Sequence, residues 1–143
     1  MWAIKETTAL LTEQHAYQSI LAPTGIAPYT KRPLSTPSEM TAHHWINFIK
    51  VYGKYLLQVV FDGEHLEVVS QLLDFVSLCL SSTINKEVLE SIEEESRKVA
   101  ADFHRYFPVS ERNIVMHLLV FHIPATLKYW GPARGYWCFP FER

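Results

Sequence analysis

The chain has 143 residues, of which 48% are hydrophobic and 20% charged, and its formal net charge is −2. This length suits one domain with a buried core, and the composition excludes general disorder. An independent nucleic-acid-binding domain is usually strongly basic, so the charge argues against a self-sufficient DNA reader. The two cysteines form no CxxC pair and support neither a disulfide framework nor a cysteine-rich zinc site.

The first 35 residues predict a short amphipathic helix followed by a proline-rich connector. Prolines stand at positions 23, 28 and 33, and proline fixes φ and removes a backbone donor. Lys5 and Glu6 occupy positions where a signal peptide has its apolar core. The purely apolar runs are too short to cross a membrane. We therefore expect an intracellular, reducing setting and no membrane association.

Residues 36–143 predict an all-α domain, a small irregular bundle of about four to five helices. Thr36 is the predicted N-cap of its first helix, with Pro37 at the first helical position and Glu39 completing a capping box. Apolar residues then recur at steps of three and four, at Trp45, Phe48, Ile49, Tyr52, Leu56, Val59 and Val60. The Asp62-Gly63 pair predicts the end of this helix.

Three more helices are predicted after this break. The second has an apolar side made of Leu66, Val69, Leu72, Leu73, Val76 and Leu80. The third, over residues 86–107, has Val88, Ile92, Val99, Phe103, Tyr106 and Phe107 on its apolar side. Pro108 ends it, Ser110 is the predicted N-cap of the fourth helix, and Pro124 is expected to interrupt that helix.

Histidine is abundant for a residue type with possible metal chemistry, with seven copies. A zinc site on one helix usually has two histidines at i and i+4, because this spacing places both rings on one side. His117 and His122 are five residues apart, so a regular helix turns them away from each other. His43 and His44 are adjacent and also diverge. Surface or hydrogen-bonded roles are favoured, and no metal site within this chain alone is predicted.

The remaining polar and thiol residues favour structural roles. Glu93, Glu94 and Glu95 are consecutive and fan out around a helix, which favours a solvated face over a metal-binding patch. Cys79 lies in an apolar run and is predicted to be a buried structural thiol. Residues 62–65 surround a glycine and are predicted to serve as turn and cap residues.

The C-terminal third resembles a known protein family and reads "MHLLVFHIPATLKYWGPARGYWCFPFER". It is similar to the end of the helical domain that follows the catalytic region in CACTA-type (En/Spm-like) transposases of plants and fungi. The residues that match the family motif are His122, Gly131, Pro132, Trp137, Phe139, Pro140, Phe141, Glu142 and Arg143. Upstream, "MTAHHWINF" with Trp45 resembles the family's entry into the same region. The resemblance covers about residues 26–143, and His117 stands one position off the paired-histidine pattern of the plant members.

The resemblance implies a role for Glu142. Complete transposases of this kind resemble enzymes with an RNase H-like core, which uses three acidic residues and divalent metal, Mg²⁺ or Mn²⁺. Glu142 is a candidate for the third acidic residue, and an ion pair or helix cap is the alternative. Two-metal phosphoryl transfer needs several carboxylates around the ions, and this chain supplies at most one. The chain alone is therefore expected to have no cofactor and no catalytic competence.

Taken together, these features predict a transposase fragment. Residues 1–35 are expected to form a helix and linker, and residues 36–143 a transposase-associated helical domain truncated at its C-terminal end. The expected partner is the remaining transposase core or another protein, with DNA contacted only within the full enzyme and a nuclear location. The alternative is a domesticated protein-interaction module, and a weaker third idea is DNA binding through Lys128, Arg134 and Arg143. We also expect marginal stability or association.

Overall fold

The computed structural model describes residues 36–111 and 113–136, and these residues form helices joined by short turns, with no strand among them. The all-α prediction is confirmed. The helix and proline-rich connector predicted for residues 1–35 lie outside the described residues. The described chain divides into two compact units after Asp62. The predicted domain boundary between residues 35 and 36 stays a prediction.

The first unit contains helix α1, which is built from three consecutive parts, Ala42–Asn47, Phe48–Tyr52 and Gly53–Leu57. The middle part is π-helical, and the Gly53 N–H donates to the carbonyl of Phe48 five residues earlier. A π turn adds one residue to the helical repeat and shifts the buried side accordingly. The buried side chains of α1 are Phe48, Tyr52, Leu56 and Leu57.

The start of α1 corrects the predicted capping box. Pro37–Glu39 form an isolated 3₁₀ turn, and the Thr36 side chain makes no cap hydrogen bond. The N-cap is Thr41, whose Oγ1 accepts from the His44 N–H at 3.5 Å while His44 Nδ1 accepts from the Thr41 N–H at 3.1 Å. His44 thus takes the reciprocal position that Glu or Gln usually occupies. The Thr36 prediction was wrong because the helix begins at Ala42, five residues after Pro37, the predicted first helical residue.

The second unit contains three helices. Helix α2 spans Gly63–Cys79, α3 spans Lys86–Tyr106, and α4 runs without a break through Ile114–His117, Leu118–His122 and Ile123–Trp130. The side chain of Asn85 caps α3 by accepting from the Val88 N–H at 2.9 Å. Asn113 caps α4 in the same way. The predicted cap Ser110 lies instead in the 3₁₀ turn Val109–Glu111, so that prediction was wrong.

The core of the second unit joins all three helices. Its fully buried members are Phe75 and Cys79 from α2, Ile92 and Val99 from α3, and Leu127 from α4. The predicted apolar side of α3 is confirmed, since Ile92, Val99, Phe103 and Phe107 are buried. In α2 the most buried positions are Val68, Leu73, Phe75 and Cys79, of which only Leu73 belongs to the predicted side. Apolar residues surround most of α2, so their spacing alone does not define one side.

His65 fastens the start of α2 to the end of α3. Its Nε2 lies 3.2 Å from the carbonyl oxygen of Tyr106, the last residue of α3. The ring also packs edge-on against Phe107, with centroids 5.6 Å apart. Carbonyls in the last turn of a helix have no partner within the helix. His65 supplies one across the unit, beyond the local turn role predicted for it.

Replacement of Ile92 by alanine is expected to lower the free energy of unfolding by about 2–5 kcal/mol. The Ile92 side chain is 0% exposed and lies in the shared core. The matched control is Ile114→Ala, because Ile114 is 67% exposed and should change stability by less than about 0.5 kcal/mol. Urea denaturation followed by circular dichroism measures both. Equal losses in the two variants would show that this core is wrongly assigned.

Candidate functional site

The residues with predicted roles divide into two groups. Six of them lie outside the described residues: Trp137, Phe139, Pro140, Phe141, Glu142 and Arg143. The catalytic role of Glu142 therefore stays a prediction. Trp45 lies in α1 of the first unit, and His122, Gly131 and Pro132 lie in or directly after α4.

Gly131 ends α4. Its φ is 77°, in the left-handed region, and its N–H donates to the carbonyl of Leu127 at 2.9 Å. A non-glycine residue is strained at this φ, and glycine is the usual residue at the end of such a helix. Pro132 follows and leads into the 3₁₀ turn Ala133–Gly135. The Gly-Pro part of the motif thus redirects the chain immediately after α4.

The structure brings His117 and His122 together, which corrects the expectation that they diverge. Their Nε2 atoms are 3.3 Å apart, and the ring centroids are separated by 5.2 Å. On a regular helix, five residues correspond to a separation of about 140° around the axis. Leu118–His122 instead form a π turn, closed by the bond from the Ile123 N–H to the Leu118 carbonyl. The wider turn returns His122 to the side of His117.

Pro124 directly follows the π turn. Proline inside an α-helix has no N–H and its ring clashes with the carbonyl four residues earlier, which is that of Val120. Val120 lies within the π turn Leu118–His122, so the α-helical repeat changes at the residue with which Pro124 would clash. Pro124 is buried and α4 continues through it to Trp130. The expectation that Pro124 interrupts the helix was therefore wrong.

The side of α4 that carries the histidines is also apolar. Its exposed large side chains are Ile114, Val115, Leu118 and Phe121, and all four have at least 46% of their surface exposed. Leu118 is four residues after Ile114 and three after Val115, and Phe121 is three residues after Leu118, so the four form one continuous strip on the helix. Phe121 contacts the ring of His117, with centroids 5.1 Å apart. We call the four apolar residues with His117 and His122 the outer side of α4.

Charged groups lie at the other end of α4. Lys128 Nζ lies 3.0 Å from Glu93 Oε1 and joins α4 to α3. Of the three consecutive glutamates, Glu94 is exposed, while Glu93 is half-buried and takes part in this ion pair. The pair is largely exposed, so its contribution to stability is at most about 1 kcal/mol. Lys128, one of three residues considered for DNA binding, is thus engaged within the unit.

Cys79 is the buried thiol that the sequence predicted. It is part of the core shared by α2, α3 and α4, and no disulfide involves it. Burial raises the pKa of the Cys79 thiol to about 12. A nucleophilic cysteine needs a lowered pKa and access to solvent. Cys79 therefore packs the core and does not act as a nucleophile.

The described residues contain neither a larger metal-binding cluster nor a membrane-spanning helix. Residues 36–111 and 113–136 contain no group of three or more His, Cys, Asp or Glu side chains arranged to hold a metal ion. No helix in the same residues is long and apolar enough to span a membrane. Comparison of the chain with protein-family models, with curated proteins and with solved structures found no match.

Cys79 should resist alkylation in the folded protein. In a Cys138→Ser background, iodoacetamide at pH 8 is expected to label Cys79 at least about 100-fold more slowly than the same thiol in urea, because burial suppresses the thiolate. Mass spectrometry of quenched samples gives the rates. Labelling at the rate of the urea-unfolded chain would contradict the assigned burial.

The raised pKa of Cys79 also predicts how stability depends on pH. Between its unfolded pKa of about 9 and its folded pKa of about 12, the folded thiol holds a proton that the unfolded thiol has lost. The contribution of Cys79 to the free energy of unfolding is therefore fully present below pH 9 and is lost as the pH rises towards 12. Urea midpoints of the Cys138→Ser protein at pH 8 and pH 10.5 should show this loss, and Cys79→Ala should lessen it. An equal loss in both proteins would rule Cys79 out as its source.

Proposed function

We propose that this chain is a helical region of CACTA-type transposase origin, and that it acts through protein contacts made by α4 without catalysing strand transfer itself. Its partner is the RNase H-like catalytic core of such a transposase. The family assignment is supported by the motif residues from His122 to Arg143, together with Trp45. The use of α4 for contacts is supported by the exposure of its outer side. On this proposal the chain works in the nucleus, where its target DNA is found.

The observation that carries the proposal is that α4 is apolar on two opposite sides. Met116, Leu119 and Ile123 pack towards the core, and Leu127 is fully buried in it. The outer side carries four large apolar residues beside its two histidines, yet Ile114 and Phe121 are 67% and 62% exposed. A helix that is apolar all round is normally covered all round. Contiguous exposed apolar surface is typical of an interaction site.

A supporting role fits the acidic residues better than a catalytic one. The glutamates of α3 are distributed around a helix, and Glu93 is already paired with Lys128. Two-metal phosphoryl transfer requires carboxylates that converge on ions about 4 Å apart. Only Glu142 carries a candidate catalytic role, through the family resemblance. The catalytic core must therefore supply the other acidic residues.

The second candidate is a domesticated protein-interaction module that has no remaining link to transposition. The same outer side of α4 favours it, because exposed apolar surface does not specify its partner. The two candidates differ in that partner: a transposase core in the first, a different protein in the second. Binding through Lys128, Arg134 and Arg143 to DNA alone is less favoured, given the net charge of −2 and the Glu93–Lys128 ion pair.

Glutamate at Leu118 and Phe121 is expected to weaken docking. The double variant Leu118→Glu/Phe121→Glu should bind a purified CACTA-type catalytic core at least about tenfold more weakly, because it buries two charges in an apolar contact. The matched control is Val51→Glu/Val109→Glu, which adds the same charge at two exposed valines outside α4. Biolayer interferometry with the full chain measures both affinities.

Three results separate the candidates. Binding that is lost only in the α4 variant supports the transposase proposal. Absence of binding to the core by the unmodified chain overturns that proposal and leaves the interaction module. Equal weakening in the α4 variant and the control would show that α4 is not the contact.

The purified chain is expected to leave supercoiled plasmid intact in the presence of Mg²⁺ or Mn²⁺, since it provides at most one of the required carboxylates. Agarose gel electrophoresis detects a single nick. Metal-dependent nicking that is lost in Glu142→Gln would contradict the proposed non-catalytic role. Genomic sequence around the gene tests the origin separately, through the presence or absence of acidic catalytic motifs and terminal repeats.

A further inference from the structure

We propose that His117 and His122 form a binding site for one divalent transition-metal ion, Zn²⁺, held between their two Nε2 atoms. The sequence argued against this site because the histidines are five residues apart. The proposal does not depend on the transposase origin or on docking through α4, since it rests on the local geometry of one helix.

The separation of the two nitrogens matches that of a tetrahedral metal centre. Zinc binds histidine nitrogen at about 2.0–2.1 Å, and two ligands of a tetrahedron at that distance are about 3.3–3.4 Å apart. The Nε2 atoms of His117 and His122 are 3.3 Å apart. At this distance one Nε2–H can donate to the other Nε2 when no metal is bound. Zinc binding would replace that hydrogen bond, and the N···N separation already matches the one zinc requires.

The backbone holds the two rings together before any ion binds. The π turn Leu118–His122 is closed by the bond from Ile123 to Leu118. This part of the helix is anchored to the unit, because Val120 within the turn and Pro124 just after it are buried. Phe121 packs against the His117 ring with centroids 5.1 Å apart, which further restricts that ring. Pre-organised ligands lose less freedom on binding, which raises affinity.

The two imidazole ligands determine which metal ions the site favours. Imidazole nitrogen favours zinc, copper and nickel, whereas magnesium and manganese prefer carboxylate and water oxygen. The proposed ion is therefore different from the catalytic ions of an RNase H-like core. His117 and His122 are both exposed, so the other two positions of a tetrahedral ion face solvent. In the isolated chain water fills them, as in open zinc sites.

The test is isothermal titration of the full chain, in a Cys138→Ser background, with ZnCl₂ in a non-coordinating buffer. The expected result is one zinc per chain, with affinity lowered about tenfold or more in both His117→Ala and His122→Ala. A larger loss is consistent with the proposal, because removing even a hydrogen-bond partner of a metal-binding histidine lowers metal affinity about 10–100-fold. The control His43→Ala removes an exposed histidine of the first unit and should leave the affinity unchanged.

Two further measurements make the outcome decisive. Circular dichroism confirms that the variants keep the helical content of the parent. Long-range ¹H–¹⁵N spectra of the histidine rings should show zinc-dependent shifts of Nε2 in residues 117 and 122, and no such shifts with MgCl₂. Unchanged zinc affinity in both alanine variants, or zinc-dependent shifts confined to other histidines, would overturn the proposal.

Discussion

The ring of Pro124 and the carbonyl of Val120 cannot both keep their places in a regular α-helix, and the organisation of α4 follows from this conflict. A helix break at this point would separate Leu127 from the core that it shares with Phe75 and Val99. The π turn Leu118–His122 keeps the helix continuous instead. Pro124 and Leu127 stay buried on one side, while His117 and His122 meet on the other.

This arrangement gives α4 an inner side that is buried in the core and an outer side that is exposed. Its inner side completes the core of α2 and α3, and the ion pair between Lys128 and Glu93 adds a smaller electrostatic contact at the rim. Its outer side combines exposed apolar residues with a pair of histidines held at ligand distance. The exposed apolar residues of this side are the basis of the docking that we propose for α4.

The all-α fold and the buried side of α3 were predictable from the sequence, because apolar residues recur at steps of three and four along the chain. The first residues of the helices were less predictable, because each start offers two good N-cap residues a few positions apart. These are Thr36 and Thr41 for α1, and Ser110 and Asn113 for α4. Local sequence does not distinguish them, so tertiary packing determines which one caps the helix. The histidine pair was missed because a five-residue spacing was interpreted on α-helical geometry. Pro124 inside an apolar run was the available signal, since proline disrupts the regular hydrogen bonding of an α-helix. The role of Glu142 falls outside the described residues.

The π turn also bears on the family resemblance, in which His117 stands one position away from the paired-histidine pattern. A π turn accommodates one additional residue, so the spacing changes while the two rings stay adjacent.

The most direct test of the π turn in α4 is the scalar coupling across the backbone hydrogen bond of Ile123, measured by NMR on the ¹⁵N,¹³C-labelled chain. We predict a coupling from the Ile123 nitrogen to the carbonyl carbon of Leu118. A coupling to the carbonyl carbon of Leu119 would show a regular α-helix and contradict the account.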